Sequence, residues 1–378
     1  MHKYPLTTLV VVERLSGRIM TKRSKAYIKR KILQEREFYN IRSILGNFWA
    51  IFYILLGGRQ AGKSYSIIEF FIQQWIKYGT PFYWLRLKPK QVEKLLKNNA
   101  DKLIDPDLRR KYNLTDLVVT SPNVYVVTKR SAPDKNGKTK VLEKKLLATV
   151  LPISTFYDDK GVGYFDKDYK GWYNIGVDEF QREANEKNTF DIMYALVNQL
   201  ENLVRNTKTK VRIFFLGNTL QEASDVLCSF NFIPEEYGRY KLKKKRAVID
   251  YIEPSEAYKK MREGSIADIL MPESSTFTNK IDTDYSLVYR GRLSSPSYVI
   301  KFGKTKDTWY TIWDSNVIKK YNGEQKPCIA MRPYLDEVFV VEQRDNVIKQ
   351  FDYRGYMFRN LITFKQFQKE IELIKPRK

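Results

Sequence analysis

Histidine and cysteine are almost absent from this chain of 378 residues, and each absence excludes a kind of chemistry. His2 is the single histidine, so histidine-dependent catalytic triads, histidine-ligated zinc and histidine general bases are excluded. Cys228 and Cys328 are widely separated, which leaves no disulfide framework and no CxxC metal site and predicts an intracellular protein. Chemistry must therefore come from carboxylates, lysine, arginine and backbone amides.

Long apolar runs are also missing. The N-terminal LTTLVVV is too short to span a bilayer, and it lacks the basic start and small-residue cleavage site of a signal peptide. We expect a soluble protein without a membrane partner.

Positive charge is what the sequence has in excess, with 67 Lys and Arg against 43 Asp and Glu and a net charge of +24. Such a balance favours a polyanionic partner, because basic side chains neutralise phosphates and release counterions. Nucleic acid is the predicted partner, and a generic basic surface is the alternative. The length predicts two or three domains.

Strand and helix patterns alternate between about residues 47 and 250, which predicts an α/β domain. Helical spacing follows Ser64 up to a C-cap glycine in IKYG, and a second helix runs from Met193 to Val204. The stretch TKRSAPDKNGKTK has turn residues and predicts the tip of a basic hairpin. The runs typical of buried parallel strands are FYILLGG, PFYWLRL, KLLATVLPI, YNIGVDEF and VRIFFLGN.

Changes in composition and in the helix and strand patterns along the chain predict four segments. They are a basic N-terminal extension (1–40), the α/β domain (41–250), a linker with a helix (251–280) and a smaller α+β domain (281–378). In the last segment the predicted strands are YSLVYRG, SYVIKFG, TWYTIWD and EVFVVEQ, and a final amphipathic helix carries Phe364, Phe367 and Ile371.

The stretch GGRQAGKS matches the Walker A pattern of phosphate-binding loops. Its glycines let backbone N–H groups face phosphates, and the following helix adds its positive N-terminal end. Lys63 would reach the β- and γ-phosphates, and Ser64 would reach Mg²⁺. A glycine-rich turn with a surface lysine is the alternative. The predicted nucleotide-binding residues are Gly57, Gly58, Arg59, Gln60, Ala61, Gly62, Lys63, Ser64 and Asp178.

Two acidic residues end the predicted strand YNIGVDEF. Asp178 can hold Mg²⁺ as a Walker B aspartate does, so Ser64 and Asp178 are the predicted metal-site residues. Glu179 is placed to polarise the attacking water, which favours hydrolysis over transfer to another acceptor. A solvated pair of acids at a strand end is the alternative.

Further candidates follow neighbouring elements. Asn218, after a buried strand, can sense the γ-phosphate or the water, or can simply favour a turn. Arg205, at a predicted helix end, either complements the helix dipole or acts as an arginine finger on a neighbouring subunit. Arg86 and Lys88 can touch phosphate or DNA. The predicted catalytic residues are Glu179, Arg205 and Asn218.

Several segments together resemble one family. GGRQAGKS, IKYGTPFYWLRLKP, LLATVLPIS, VDEF, VRNTKTKVR with LGN, and FNFIPEEYGRY follow the order seen in the DNA-packaging ATPases of small short-tailed phages. These are the phi-twenty-nine-like, or Picovirinae-type, packaging motors. The resemblance spans about residues 41–252 and is fainter beyond.

The resemblance implies an additional-strand (ASCE) P-loop ATPase that uses ATP and Mg²⁺. It implies a ring, a homopentamer, docked at the portal of an empty procapsid in the host cytoplasm, absent from the mature virion, that drives double-stranded DNA inward. Some members use a packaging RNA. By position, Arg205 matches the family's trans-acting finger, Asn218 its coupling residue and Lys88 a lysine of open role.

The resemblance also implies an RNase H-like C-terminal domain that has lost nuclease activity. An active nuclease would need clustered carboxylates for two metals. The candidates in the sequence are Asp282, Asp284, Asp307, Asp314, Asp336 and Glu337.

Two alternatives share part of this evidence. A P-loop helicase or branch-migration ATPase would use the same ATP chemistry and would prefer single-stranded DNA. A nucleotide-gated DNA-binding scaffold would bind without hydrolysis, and Glu179 argues against it. Candidate DNA-gripping segments are RSAPDKNGKTK and KLKKKR, with solvated surface as the alternative.

Overall fold

A nine-stranded sheet forms the centre of the protein. The computed structural model describes residues 38–163, 171–181, 190–204, 210–218, 224–270, 287–289, 291, 293, 298–301, 309–313, 326–331 and 344–374. The strands are β1 (Phe52–Leu56), β2 (Phe82–Arg86), β3 (Leu117–Thr120), β4 (Asn123–Arg130), β5 (Val141–Pro152), β6 (Tyr173–Asp178), β7 (Val211–Gly217), β8 (Gly238–Leu242) and β9 (Ala247–Tyr251). All five apolar runs form strands, as predicted.

The strand order is β3-β4-β5-β2-β6-β7-β1-β9-β8. Six neighbouring strands in this order are parallel to one another: β5, β2, β6, β7, β1 and β9. Strands β3, β4 and β8 join antiparallel at the two edges. β7 separates the strand that enters the phosphate loop, β1, from the strand that carries the acidic pair, β6. This inserted strand is the additional strand that the fold prediction requires.

Helices cover both faces of this sheet. They are α1 (Arg42–Leu45), α2 (Lys63–Tyr78), α3 (Pro89–Ala100), α4 (Pro106–Lys111), α5 (Ile192–Leu203) and α6 (Asp225–Ser229). The first four pack on one face and the last two on the other. Side chains of β1 alternate between the two cores, as the twofold period of a strand requires. The predicted C-cap, Gly79, adopts φ +75°.

Two basic turns lie at the amino end of the parallel strands. β4 and β5 form the predicted hairpin, whose exposed tip spans residues 131–140. Asp134 accepts hydrogen bonds from the N–H groups of Asn136 and Lys138, which orders the tip. At the opposite sheet edge the run KLKKKR connects β8 to β9, including a 3₁₀ turn at Lys243–Lys245.

A smaller α+β unit follows β9. Two short helices, α7 (Glu256–Arg262) and α8 (Ile266–Leu270), come first. A four-stranded sheet has the order β10 (Tyr298–Lys301), β11 (Trp309–Trp313), β12 (Cys328–Met331), β13 (Met357–Phe358), and it packs with α9 (Arg344–Asp352) and α10 (Leu361–Ile374). No helix among the described residues is long and apolar enough to cross a membrane.

The C-terminal predictions have mixed outcomes. SYVIKFG and TWYTIWD form β10 and β11, and α10 buries Phe367 and Ile371 as expected. No sequence pattern predicts β12 or β13. YSLVYRG contributes only an isolated bridge at Val288 within the described residues, and EVFVVEQ lies outside them. The six acidic nuclease candidates also lie outside the described residues, so the RNase H likeness and the domain boundaries stay predictions.

Trp84 and Gly176 pack against each other on adjacent strands of the core. A Cβ atom on Gly176 would lie 2.4 Å from Cε3 of Trp84, which is itself 1% exposed. We expect Gly176→Ala to lower the free energy of unfolding by about 1–3 kcal/mol, because the core must shift to admit the methyl group. Urea-induced unfolding measures this.

Gly46→Ala is the matched control for that change. Gly46 ends α1 at φ −66°, and no atom lies within 4 Å of the Cβ it would gain. Equal stability of both variants would contradict the overpacking argument.

Candidate functional site

The phosphate loop spans residues 57–62, between the end of β1 and the start of α2. Gln60 and Gly62 adopt φ values of +64° and +79°, so the loop curls through left-handed conformations that favour glycine. A Cβ on Gly62 would also lie 2.9 Å from Cβ of Phe38. Glycine at this position is therefore required twice, by the conformation and by the close approach of the N-terminal segment.

Lys63 lies at the first position of α2 and is 7% exposed. Its Nζ donates hydrogen bonds of 2.7 Å to the carbonyl oxygens of Gly57 and Gly58. Burial lowers the pKa of this ammonium group to about 8, and the charge of Asp178 partly opposes the shift. The loop thus holds a desolvated cation next to its own N–H groups, which is a favourable setting for an anion.

Arg86, at the end of β2, pairs with both acids of the YNIGVDEF strand. Its Nη2 lies 2.8 Å from Oδ2 of Asp178, and its Nη1 pairs with Oε2 of Glu179. Burial raises the pKa of Asp178 to about 6, and the neighbouring charge of Glu179 adds to the rise while Arg86 and Lys63 oppose it. Sequence reasoning offered Arg86 for phosphate or DNA, and the structure places it on the two carboxylates.

Glu179 is held in an unusual backbone conformation. Its φ is +52°, in the left-handed region, and its N–H donates to the carbonyl oxygen of Leu216 on β7 at 3.0 Å. Its side chain is 48% exposed, whereas that of Asp178 is 9% exposed. The two acids thus have different surroundings, and only Glu179 faces solvent, from which a water molecule could be activated.

A cavity of about 580 Å³ opens at the carboxyl ends of β1, β6 and β7. Its volume is within the range of small-molecule and cofactor sites. The lining residues are Arg59, Gln60, Ala61, Gly62, Lys63, Ser64, Tyr65, Arg86, Asp178, Glu179, Leu216 and Asn218.

The structure brings most of the predicted site residues to this one cavity. Gly57 and Gly58 lie beside it as the acceptors for Lys63. Lys88 is at the N-cap of α3, where its N–H donates to Oε1 of Gln91, and it is not among the lining residues. Arg205 lies outside the described residues, so its role stays a prediction.

Two segments that no sequence pattern predicts hold the phosphate loop from outside. Tyr39 N–H donates to the carbonyl oxygen of Ala61 at 2.8 Å, and Ile41 N–H donates to Oγ of Ser66 at 3.0 Å. Helix α7 contacts the loop through Tyr258 and Arg262. These contacts join residues far apart in sequence, and no local motif indicates them.

Ser64 and Asp178 present oxygen donors, which suit Mg²⁺. No group of three or more His, Cys, Asp or Glu that could hold a metal occurs in the described part of the chain. Magnesium needs no such group, because it commonly uses one or two protein oxygens together with substrate phosphates and water. The residues therefore fit a magnesium–nucleotide complex.

These features together define the class of protein. An additional strand between the loop strand and the acidic strand, a curled glycine loop with a buried lysine, and a buried aspartate opposite it are the features of an additional-strand P-loop nucleotide-binding domain.

Comparison with known proteins gives the family. The sequence profile of the podovirus DNA encapsidation protein (Gp16) family matches residues 33–354, and the chain belongs to this family. The DNA packaging protein of Bacillus phage phi29 is 24% identical over 273 residues, which cover 67% of this chain and 73% of that protein. Viral DNA packaging is thus the function class of this chain, as its resemblance predicted.

Two solved structures share the fold over most of their length. The bacteriophage Phi-29 viral genome packaging motor assembly matches with a TM-score of 0.58 at 19% identity, covering 89% of this chain and 99% of that one. The Phi-28 gp11 DNA packaging motor matches with a TM-score of 0.58 at 13% identity, covering 90% and 99%. At these identities the likeness shows the fold.

The pairing of Arg86 with Asp178 gives a stability prediction. We expect Arg86→Met to lower the free energy of unfolding by about 3 kcal/mol near pH 8, because a buried carboxylate loses its partner. The pKa of Asp178 is about 6 and should rise further without the arginine, so the loss should shrink toward pH 5 as Asp178 takes up a proton.

Urea-induced unfolding at both pH values tests the pairing. Arg110→Met is the control, since it breaks the exposed pair of Arg110 with Asp107 and should change stability little. A loss for Arg86→Met that is the same near pH 8 and pH 5 would refute the role given to Asp178.

Proposed function

We propose that this protein is the ATP-hydrolysing subunit of a ring that moves double-stranded DNA into a procapsid. The observation that supports this most directly is the cavity that joins Lys63, Asp178 and Glu179 in a chain of the encapsidation family. The proposal extends to ATP and Mg²⁺ as cofactors, to docking at the portal from the host cytoplasm, to a homopentamer and to absence from the mature virion. A packaging RNA as partner stays a prediction from the resemblance.

The proposed roles follow from the chemistry of each side chain. Lys63 would exchange its two carbonyl partners for phosphate oxygens, and Ser64 and Asp178 would hold Mg²⁺. The ion, when bound, neutralises charge on the phosphates. Glu179 orients a water molecule and accepts its proton, because it is the acid that faces solvent. Asn218, at the end of β7, contacts the γ-phosphate or the water.

Arg86 sets a condition on this chemistry. While its guanidinium pairs with Oε2 of Glu179, that oxygen is occupied and cannot hold a water molecule. A bound phosphate offers Arg86 another anionic partner, and transfer of the arginine to it releases Glu179. The same contact then makes hydrolysis depend on a correctly placed nucleotide.

DNA contact is assigned to the two basic turns at the amino end of the sheet. Residues 131–140 and the run KLKKKR are exposed and project from the end of the parallel strands opposite the nucleotide cavity. Contacts to the phosphate backbone carry no sequence information, which suits a motor that must pass every base.

Phosphate release by the purified full-length protein is the first test. We expect Mg·ATP turnover that linear duplex DNA stimulates, and we expect Glu179→Gln to abolish turnover while nucleotide binding persists, because only the water-activating group is lost. Turnover unchanged in Glu179→Gln would refute the assigned chemistry, and stimulation by single strands alone would favour a helicase instead.

Mixing variants tests the ring. If Arg205 acts on a neighbour's nucleotide, Arg205→Ala subunits are inactive alone, and so are Glu179→Gln subunits. Mixed rings should regain turnover at sites that combine an intact Glu179 with an intact Arg205 from the next subunit. Mixtures as inactive as the separate variants would contradict a finger acting in trans.

Salt dependence tests the hairpin. Replacing Lys135, Lys138 and Lys140 by alanine should reduce the slope of log affinity for duplex DNA against log salt by about 0.9 for each lost phosphate contact. Fluorescence anisotropy with a labelled duplex measures it. The control replaces Lys90, Lys94 and Lys97, which are exposed on α3, by alanine. Both triple variants lose the same number of positive charges. Equal slopes for the two triple variants would mean that the hairpin is not the contact.

A further inference from the structure

Helix α7 contacts two consecutive residues of the phosphate loop. Tyr258 Oη donates to the carbonyl oxygen of Arg59 at 2.6 Å, and Arg262 Nη1 donates to Oε1 of Gln60 at 3.1 Å. Arg262 is four positions after Tyr258, so both side chains lie on one face of the helix. Ser255 caps the helix by accepting from the Tyr258 N–H, which fixes where that face points.

Both side chains are buried against the loop. Tyr258 is 3% exposed and Arg262 is 7% exposed, and the guanidinium carbon lies 5.9 Å from the centre of the tyrosine ring. The Nε of Arg262 is buried and has no hydrogen-bond partner in the described part of the chain. Since a buried donor without a partner is costly, the bond to Gln60 matters more to this arginine than it would at the surface.

Helix α7 also follows β9, the last strand of the nine-stranded sheet along the chain, and so connects that sheet to the rest of the protein. Ile252, directly after β9, donates its N–H to the carbonyl oxygen of Leu56 at 2.8 Å, and its Cβ would lie 3.1 Å from a Cβ on Gly57. After α7 the chain turns at Gly264, with φ +73°, toward α8 and the second sheet. The segment that contacts the loop is therefore also the one that leads to the C-terminal residues.

We propose that Tyr258 and Arg262 are positioning residues that couple the conformation of the phosphate loop to helix α7. The proposal rests on the proposed function, because the ligand that moves the loop is the nucleotide of that site. Lys63 holds the carbonyls of Gly57 and Gly58, and phosphate oxygens compete for its protons. The resulting loop movement changes the two acceptors that α7 uses.

Coupling of this kind is reciprocal. If the nucleotide shifts α7, then the contacts of α7 must shift nucleotide affinity by the same free energy. A purely structural clamp would change stability without linking the helix to nucleotide binding. The two cases therefore differ in a measurable way.

Hydrogen–deuterium exchange of the full-length protein, with and without Mg·ATPγS, tests the coupling. The wild type should show nucleotide-dependent exchange in peptides covering residues 252–264. In Tyr258→Phe and Arg262→Gln, at saturating Mg·ATPγS, that difference should be lost. Because the removed contacts hold the loop in its nucleotide-free position, affinity for Mg·ATPγS should rise, by roughly tenfold in Arg262→Gln, which loses a hydrogen bond from a charged group. The rise should be smaller in Tyr258→Phe, which loses a neutral hydrogen bond. Arg262→Lys should restore part of both.

Lys259→Gln is the control on the same helix, since Lys259 is exposed and pairs with Glu256. It should leave affinity and exchange as in the wild type. In a double-mutant cycle, the effects of Gln60→Ala and Arg262→Gln on affinity for Mg·ATPγS should be non-additive, because the two residues act through one contact. Circular dichroism confirms that each variant is folded, and Arg262→Lys serves if the glutamine variant is not.

The outcomes separate this inference from the proposed function. Nucleotide binding with no change in α7 exchange in the wild type would overturn the coupling and leave the ATPase proposal intact. Additive effects in the cycle would overturn the contact through Gln60. Absence of Mg·ATPγS binding by the folded wild type would overturn the proposed function itself.

Discussion

Burial of opposite charges at the carboxyl edge of the sheet is the interaction on which the site depends. Lys63, Asp178 and Arg86 are all largely desolvated there. Each alone would be costly to bury, and the negative charge of Asp178 offsets the cost of burying the two cations. The three side chains come from α2, β6 and β2, so they meet only when the strand order is the observed one. The architecture and the charge cluster therefore depend on each other.

The neighbouring acids show how position alone gives two carboxylates different properties. Asp178 ends a strand that is buried along its whole length, and burial raises its pKa. Glu179 follows in a left-handed conformation that turns its side chain toward solvent. Asp178 is thereby suited to hold a cation, and Glu179 is suited to activate a water molecule. A single peptide unit separates the two environments.

Sequence reasoning succeeded where a pattern is local and strong. The apolar runs predicted the strands because parallel strands are buried on both faces, and the glycine loop predicted its own curl. It missed β12 and β13, which are short and lack a distinctive alternation. It also missed the pairing of Arg86 with the acids, and the approach of residues 38–41 and α7 to the loop. Those contacts depend on strand order and chain path, which no local segment encodes.

The hairpin strand β5 has a mechanical consequence. It runs unbroken over 12 residues from Val141 to Pro152, and the next residue, Ile153, donates its N–H to the carbonyl oxygen of Arg86. At about 3.3 Å per residue, β5 spans up to roughly 40 Å, with the arginine of the acid cluster beside one end and the basic tip at the other. A tilt of about 3° at the cluster would displace the tip by about 2 Å over that length. For any rotation of β5 about its end at the acid cluster, the displacement is therefore largest at the charged tip.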